Sequence, residues 1–191
     1  MDISRINVKV FMDQGADVAT ETWFEVFNTW IHEPDNDVLV DVADYTHVEN
    51  GPQTILVGHN ANYALDTTDG RFGFLYARKR GLNGSLDASL KEAISCALKS
   101  CKRLSEDERL GGQVNFNGES IQIALNDRLG ATNDAQTRDA CISELNTILD
   151  KLYAGSGYKV TANEDARKTV TLDISAEGQF SAIQLLENLG S

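Results

Sequence analysis

Two of the three histidines, His47 and His59, lie in one segment, "DVADYTHVENGPQTILVGHNANYALD" (41–66), beside Asp44 and Tyr45. Imidazole exchanges a proton near neutral pH. Arg78 and Arg80 follow in "FLYARKR", and guanidinium offers a planar fork of donors to carboxylate or phosphate. An Asp-Gly pair between two strand-like runs is a strong hairpin signal. If Asp69-Gly70 is a two-residue turn, paired positions sum to 139. Leu65 then faces Phe74, Tyr63 faces Tyr76, Ala61 faces Arg78, and His59 faces Arg80. Strand alternation puts these side chains on one face with Ile55, Val57 and Phe72. That apolar face is expected to be covered, with His59, Arg78 and Arg80 at its rim near the loop that carries Asp44, Tyr45 and His47.

Convergent His, Asp, Tyr and Arg at the rim of an apolar layer is the composition of many small-molecule sites. The expected ligand is a small anion held by Arg78, Arg80, Tyr45 and Tyr63. In an enzyme, His59 with Asp44 or His47 would supply acid–base chemistry on it. The plainer alternative is a rim histidine bonded to a carbonyl and an Asp44–Arg78 salt bridge. Established catalytic templates are missing: there is no G-x-S-x-G, no H-E-x-x-H, no P-loop and no G-x-G-x-x-G opening a helix. Cys96, Cys101 and Cys141 form no metal-ligand spacing. No metal and no cofactor is expected, and a non-enzymatic ligand- or protein-binding role takes precedence over the enzyme.

The formal charge is −12, which repels phosphate backbones and argues against general nucleic-acid binding. It is unevenly spread. Residues 1–70 hold 2 basic and 13 acidic side chains, whereas residues 71–103 hold 8 basic and 2 acidic. Complementary pairing between packed elements explains such a block most simply; an anion site is the sharper reading. Apolar content of 41% and charged content of 24% fit an ordinary folded protein. The opening "MDISRINVKVFM" lacks the pattern of a signal peptide, and no apolar run approaches the roughly 18 residues of a membrane span. These features, with three cysteines beside apolar helical faces, lead to the expectation of a cytoplasmic protein.

The elements that must position these residues follow from periodicity. "INVKVFM" alternates as a strand. Trp23, Phe24, Val26, Phe27, Trp30 and Ile31 form one helical stripe, with Thr20 as the expected N-cap and Pro34 as its stop. Residues 37–45 and about 54–66 read as strands, and the order strand, helix, strand permits parallel pairing through a right-handed crossover. A helix capped by Ser85 or Asp87 follows, with Leu90, Ile94, Leu98 and Cys101 on one face. "QVNFNGESIQIALND" reads as a hairpin with Asn117-Gly118 at its tip. A third helix spans 134–154, stopped by Gly155. A last strand pair and a short amphipathic helix close the chain. The fold class is α+β with the order β-α-β-β-β-α-β-β-α-β-β-α, a mixed, mainly antiparallel sheet and helices on one face. Residues 1–191 make one domain, or two intimately packed halves, 1–80 and 85–191. The many strand edges that such a sheet leaves also point to a homo-oligomer.

Asp41–Tyr45, His47-Val48, Gly51-Pro52 and Leu56–His59, together with "FLYARKR" and "LNDRL", resemble an uncharacterised family of bacterial proteins of similar length. The resemblance implies no activity and assigns no residue a role.

Overall fold

The computed structural model describes residues 3, 5–15, 17–33, 37–80 and 84–190. Eight strands form one sheet: β1 (Ile6–Gln14), β2 (Leu39–Asp44), β3 (Pro52–Gly58), β4 (Ala61–Asp66), β5 (Gly73–Arg78), β6 (Asn115–Leu125), β7 (Tyr158–Ala162) and β8 (Val170–Ala176). The helices are α1 (Thr20–His32), α2 (Leu86–Ser105), α3 (Ala135–Leu152) and α4 (Ala182–Leu189). The strands run in the order β2-β3-β4-β5-β1-β6-β8-β7, and every neighbouring pair is antiparallel. The α+β class therefore holds, but the parallel pairing that the first strand–helix–strand unit permits is not made. β2 lies at an edge against β3 alone, while β1 sits mid-sheet between β5 and β6.

Alternation in β1 sets the two faces. Ile6, Val8 and Val10 are fully buried beneath the helices. Their cross-strand partners Tyr76 and Phe74 in β5 and Ile123 and Ile121 in β6 continue that layer. α2 lies over β1 and β5, α1 over β2 and β3, α4 over β6, and α3 beside β7. The apolar stripe of α1 buries Trp23, Val26, Phe27 and Trp30 as its spacing requires. Its N-cap is Ala19, one residue before the expected Thr20, and no side chain caps it; Pro34 lies outside the described residues. α2 and α3 are capped by Ser85 and Asp134, whose side chains accept from Ala88 N and Thr137 N. α3 ends at Leu152 with Tyr153 as its C-cap, and the left-handed turn begins at Ala154 (φ 50°), one residue before the expected stop Gly155 (φ 82°). Burial pushes the thiols of Cys96 and Cys101 up, and that of Cys141 to about 11, so all three stay protonated and pack as small hydrophobes. Among the described residues, no helix is long and apolar enough to cross a membrane.

Two boundaries differ from those expected, and the differences offset each other in the strand count. The run expected as one strand over 54–66 is two strands, β3 and β4, joined by a turn at His59-Asn60. Asp37 closes that turn, its carboxylate accepting from the backbone N–H groups of Asn60 and Ala61 at 3.0 Å. The second expected hairpin does not exist: Asn117 and Gly118 lie inside the continuous strand β6. The observed order is β-α-β-β-β-β-α-β-α-β-β-α. The segment linking the two expected halves falls partly outside the described residues. β1 and β6 pair directly, so residues on either side of that segment share one sheet.

Candidate functional site

The helices leave the other sheet face uncovered, and the residue that defines this face is Lys9. Standing between Val8 and Val10, it points away from the helices. It is nevertheless only 3% exposed. Its Nζ lies 2.5 Å from Oδ2 of Asp66, the last residue of β4, which is equally buried. β5 stands between the two strands, and Gly73 makes the reach possible. In the cross-strand register Gly73 pairs with both Phe11 and Asp66. A Cβ on Gly73 would stand 3.1 Å from Lys9 Cε and 2.7 Å from the Val10 carbonyl oxygen. The Asp66 carboxylate is completed by Thr68, whose hydroxyl donates at 2.8 Å and whose backbone N–H donates at 3.3 Å.

This pair floors an open trough of about 630 Å³. Asn7 of β1, Gln122 of β6 and Thr171 of β8 supply amide and hydroxyl groups along it. Its two ends differ in charge. Asp66 and Asp69 stand where β4 leaves the sheet, whereas Arg128 and Lys168 stand where β6 leaves and β8 enters. Beside it, Arg71 lies 3.5 Å over the Phe11 ring and pairs with Asp173 at 2.7 Å. Gln122 donates to the same Asp173 oxygen at 3.1 Å. The trough thus carries charged and polar groups of both signs beside Pro52, Leu75 and Ala124, with the buried Lys9–Asp66 pair among its lining.

None of the residues expected to form a site lines this trough. His47 is in the β2–β3 loop and His59 in the β3–β4 turn, at opposite ends of β3. The seven residues of β3 span roughly 20 Å at about 3.4 Å per residue, so the two imidazoles cannot share a proton. Both are exposed. Tyr45 stacks on His47 with ring centroids 6.1 Å apart. Asp44 closes a local turn, accepting from the backbone N–H of Thr46 at 2.8 Å and its hydroxyl at 2.7 Å. These bonds, the backbone one first, hold its carboxyl below the usual range, which makes it a poor general base at neutral pH.

Arg78 is buried on the helix face, where its Nε donates to the Arg80 carbonyl at 2.6 Å and Nη1 lies 2.8 Å from Glu92 of α2. Glu92, not Asp44, is its ion-pair partner. The Arg80 side chain is exposed. Tyr63 belongs to an aromatic cluster, edge-on to Tyr76 at 5.5 Å and to Trp30 at 6.2 Å. The split of the 54–66 run also moves Ile55 and Val57 to the uncovered face, since Ile55 pairs with Ala64 and Val57 with Asn62. Among the described residues, no group of three or more His, Cys, Asp or Glu side chains could hold a metal ion. Lys9, Gly73 and Asp66 escaped the sequence reading because a lysine at an outward strand position reads as solvent-facing. The one local hint was a glycine inside the strand-like "RFGFLY".

No protein-family model matches this chain, and no curated protein matches it at a significant level.

Proposed function

We propose that this protein is a non-enzymatic α+β binding module that takes a ligand or protein partner on its uncovered sheet face. The observation that carries the reading is the Lys9–Asp66 pair, 3% exposed on a face with no helix over it. A buried ion pair is a weak source of stability, because desolvating two charges offsets most of their attraction. A sheet face that only met water would have no use for one. At the bottom of a trough built on rigid strands, it fixes a polar floor for recognition. The separation of Arg128 and Lys168 from Asp66 and Asp69 suits an occupant whose own charges run in the opposite sense, an anionic group at the Arg128 end.

Thermal-shift screening against anionic metabolites and acidic peptides tests this. A ligand present at about 100 times its Kd stabilises the fold by about 2.7 kcal/mol. That shift is expected to vanish in the Arg128→Glu, Lys168→Glu double variant, whose unliganded Tm stays close to that of the wild type. A shift that persists in this variant and in Lys9→Met, Asp66→Leu would place binding elsewhere and end the reading.

Self-association rests on the sheet edge. β2 pairs only with β3, and Val40 within it and Val38 just before it are 62% and 68% exposed. An uncovered apolar edge of this kind accepts a second strand. Val40→Lys is expected to convert a dimer to a monomer in light scattering coupled to size exclusion. A wild-type chain that stays monomeric at every concentration would rule the edge out.

A further inference from the structure

On the helix-covered side, at the end of the sheet where Asp37 closes the β3–β4 turn, α1 and α2 part around a cavity of about 60 Å³. Trp30 of α1, Leu39 of β2, Tyr63 of β4 and Lys99 and Arg103 of α2 contribute to its wall. That space has room for a few water molecules, the size range of a phosphoryl or carboxylate group.

The wall sets the donors Trp30, Lys99 and Arg103 beside the hydroxyls of Tyr63 and Ser100 and the carboxylate of Asp37. Trp30 is 3% exposed, and its indole Nε1 has no hydrogen-bond partner among the described residues. An indole N–H can only donate, so it calls for an acceptor at this position. The Arg103 guanidinium lies 4.6 Å from the centroid of the Trp30 ring, which fixes cation and indole together. Its ion pair with the exposed Glu33 is long, at 3.8 Å. Lys99, one helical turn before Arg103, is exposed and makes no ion pair among the described residues. Asp37 is the acid on this wall, and its carboxylate already accepts from Asn60 N and Ala61 N. Two cations thus flank the space, and the Trp30 side chain in the same wall carries an unmatched buried N–H, within a chain whose net charge is −12.

We propose that this cavity binds a small oxyanion, a phosphate or carboxylate group that accepts from the Trp30 indole and is neutralised by Arg103 and Lys99. The site is on the opposite side of the sheet from the trough and stands or falls separately from it. Arg103 supplies a planar pair of donors and Lys99 a movable point charge.

The test is a titration of isotope-labelled full chain with inorganic phosphate and, in parallel, acetate, at constant ionic strength set by chloride. The readout is the indole ¹H–¹⁵N resonance of Trp30, identified by comparison with Trp23→Phe. A saturable downfield shift is expected. Arg103→Gln should weaken it at least about tenfold, the loss of one charge-assisted hydrogen bond. Lys99→Gln, at an exposed position that leaves the fold intact, should weaken it too. Saturation with phosphate alone assigns a phosphoryl source, and saturation with acetate alone a carboxylate source. A resonance that does not move, that moves linearly with concentration, or that responds as in the wild type in both Arg103→Gln and Lys99→Gln overturns the proposal. Arg128→Glu, Lys168→Glu should leave the titration unchanged, which separates this site from the trough.

Discussion

Lys9→Met is expected to lower the unfolding free energy by about 3–5 kcal/mol, the usual result of removing one partner from a buried ion pair. The substitution keeps an apolar stem as far as Cε and removes the Nζ, so packing beside Phe11 changes little. What remains is an Asp66 carboxylate, 3% exposed, whose other donors among the described residues are the two from Thr68. Those two bonds point to the lower half of that range. Adding Asp66→Leu removes the stranded charge, and the double variant should regain the wild-type midpoint in urea or exceed it. The pair of measurements separates two roles for one contact. If stability returns in the double variant while ligand binding on the uncovered face does not, the ion pair serves recognition. A single variant that loses less than about 1 kcal/mol would mean that water reaches the pair freely, and the trough would lose its distinguishing feature.

The parts of the fold legible in the sequence were those decided within a few residues. The stripe Trp23, Val26, Phe27, Trp30 meets the sheet as its spacing requires. The register summing to 139 holds for every pair from Ala61–Arg78 to Asp66–Gly73, although Thr68–Gly70 is a 3-10 turn with Asp69 at φ 59° and not a two-residue loop. The features that were missed all depend on a distant partner. Gly58, His59 and Asn60 form a turn because Asp37, more than twenty residues earlier, satisfies the turn's N–H groups. Without that carboxylate, "ILVGHNANYAL" reads as one apolar run. Lys9 is buried because Asp66, 57 residues away, meets it across Gly73. The anticipated site mixed residues from both ends of β3 for the same reason. Once the run is split into two strands, Asp44, Tyr45 and His47 stay at one end and His59 at the other. The basic block at 71–103 was legible as charge, but only the tertiary fold brings Arg103 of α2 onto Trp30 of α1.

Gly118→Ala is expected to destabilise the fold by about 3 kcal/mol, at the upper end of ordinary overpacking, and to release α4 first. An asparagine–glycine pair is normally a turn signal, yet here the glycine lies inside β6 because another backbone needs its space. A Cβ at this position would stand 2.2 Å from the Phe180 carbonyl oxygen and 2.8 Å from its carbonyl carbon. Neither atom belongs to a flexible side chain, so relief requires the whole segment before α4 to move. That movement breaks the bond from Gly118 N to the Phe180 carbonyl at 3.0 Å. It also disturbs the contact of the Phe180 ring with Tyr153, whose hydroxyl donates to the Gly118 carbonyl at 3.2 Å. α4 has its own capping box at Ser181 and Gln184, but eight residues are too few to stay helical without docking. Leu185 and Leu189 would then leave the core. Hydrogen exchange distinguishes this from general weakening: the amides of α4 should lose protection while those of β1 and β6 keep theirs. If α4 exchanges at the wild-type rate and stability stays within about 0.5 kcal/mol of the wild type, Gly118 is a turn residue misplaced in a strand. The close approach of Phe180 would then have no structural role.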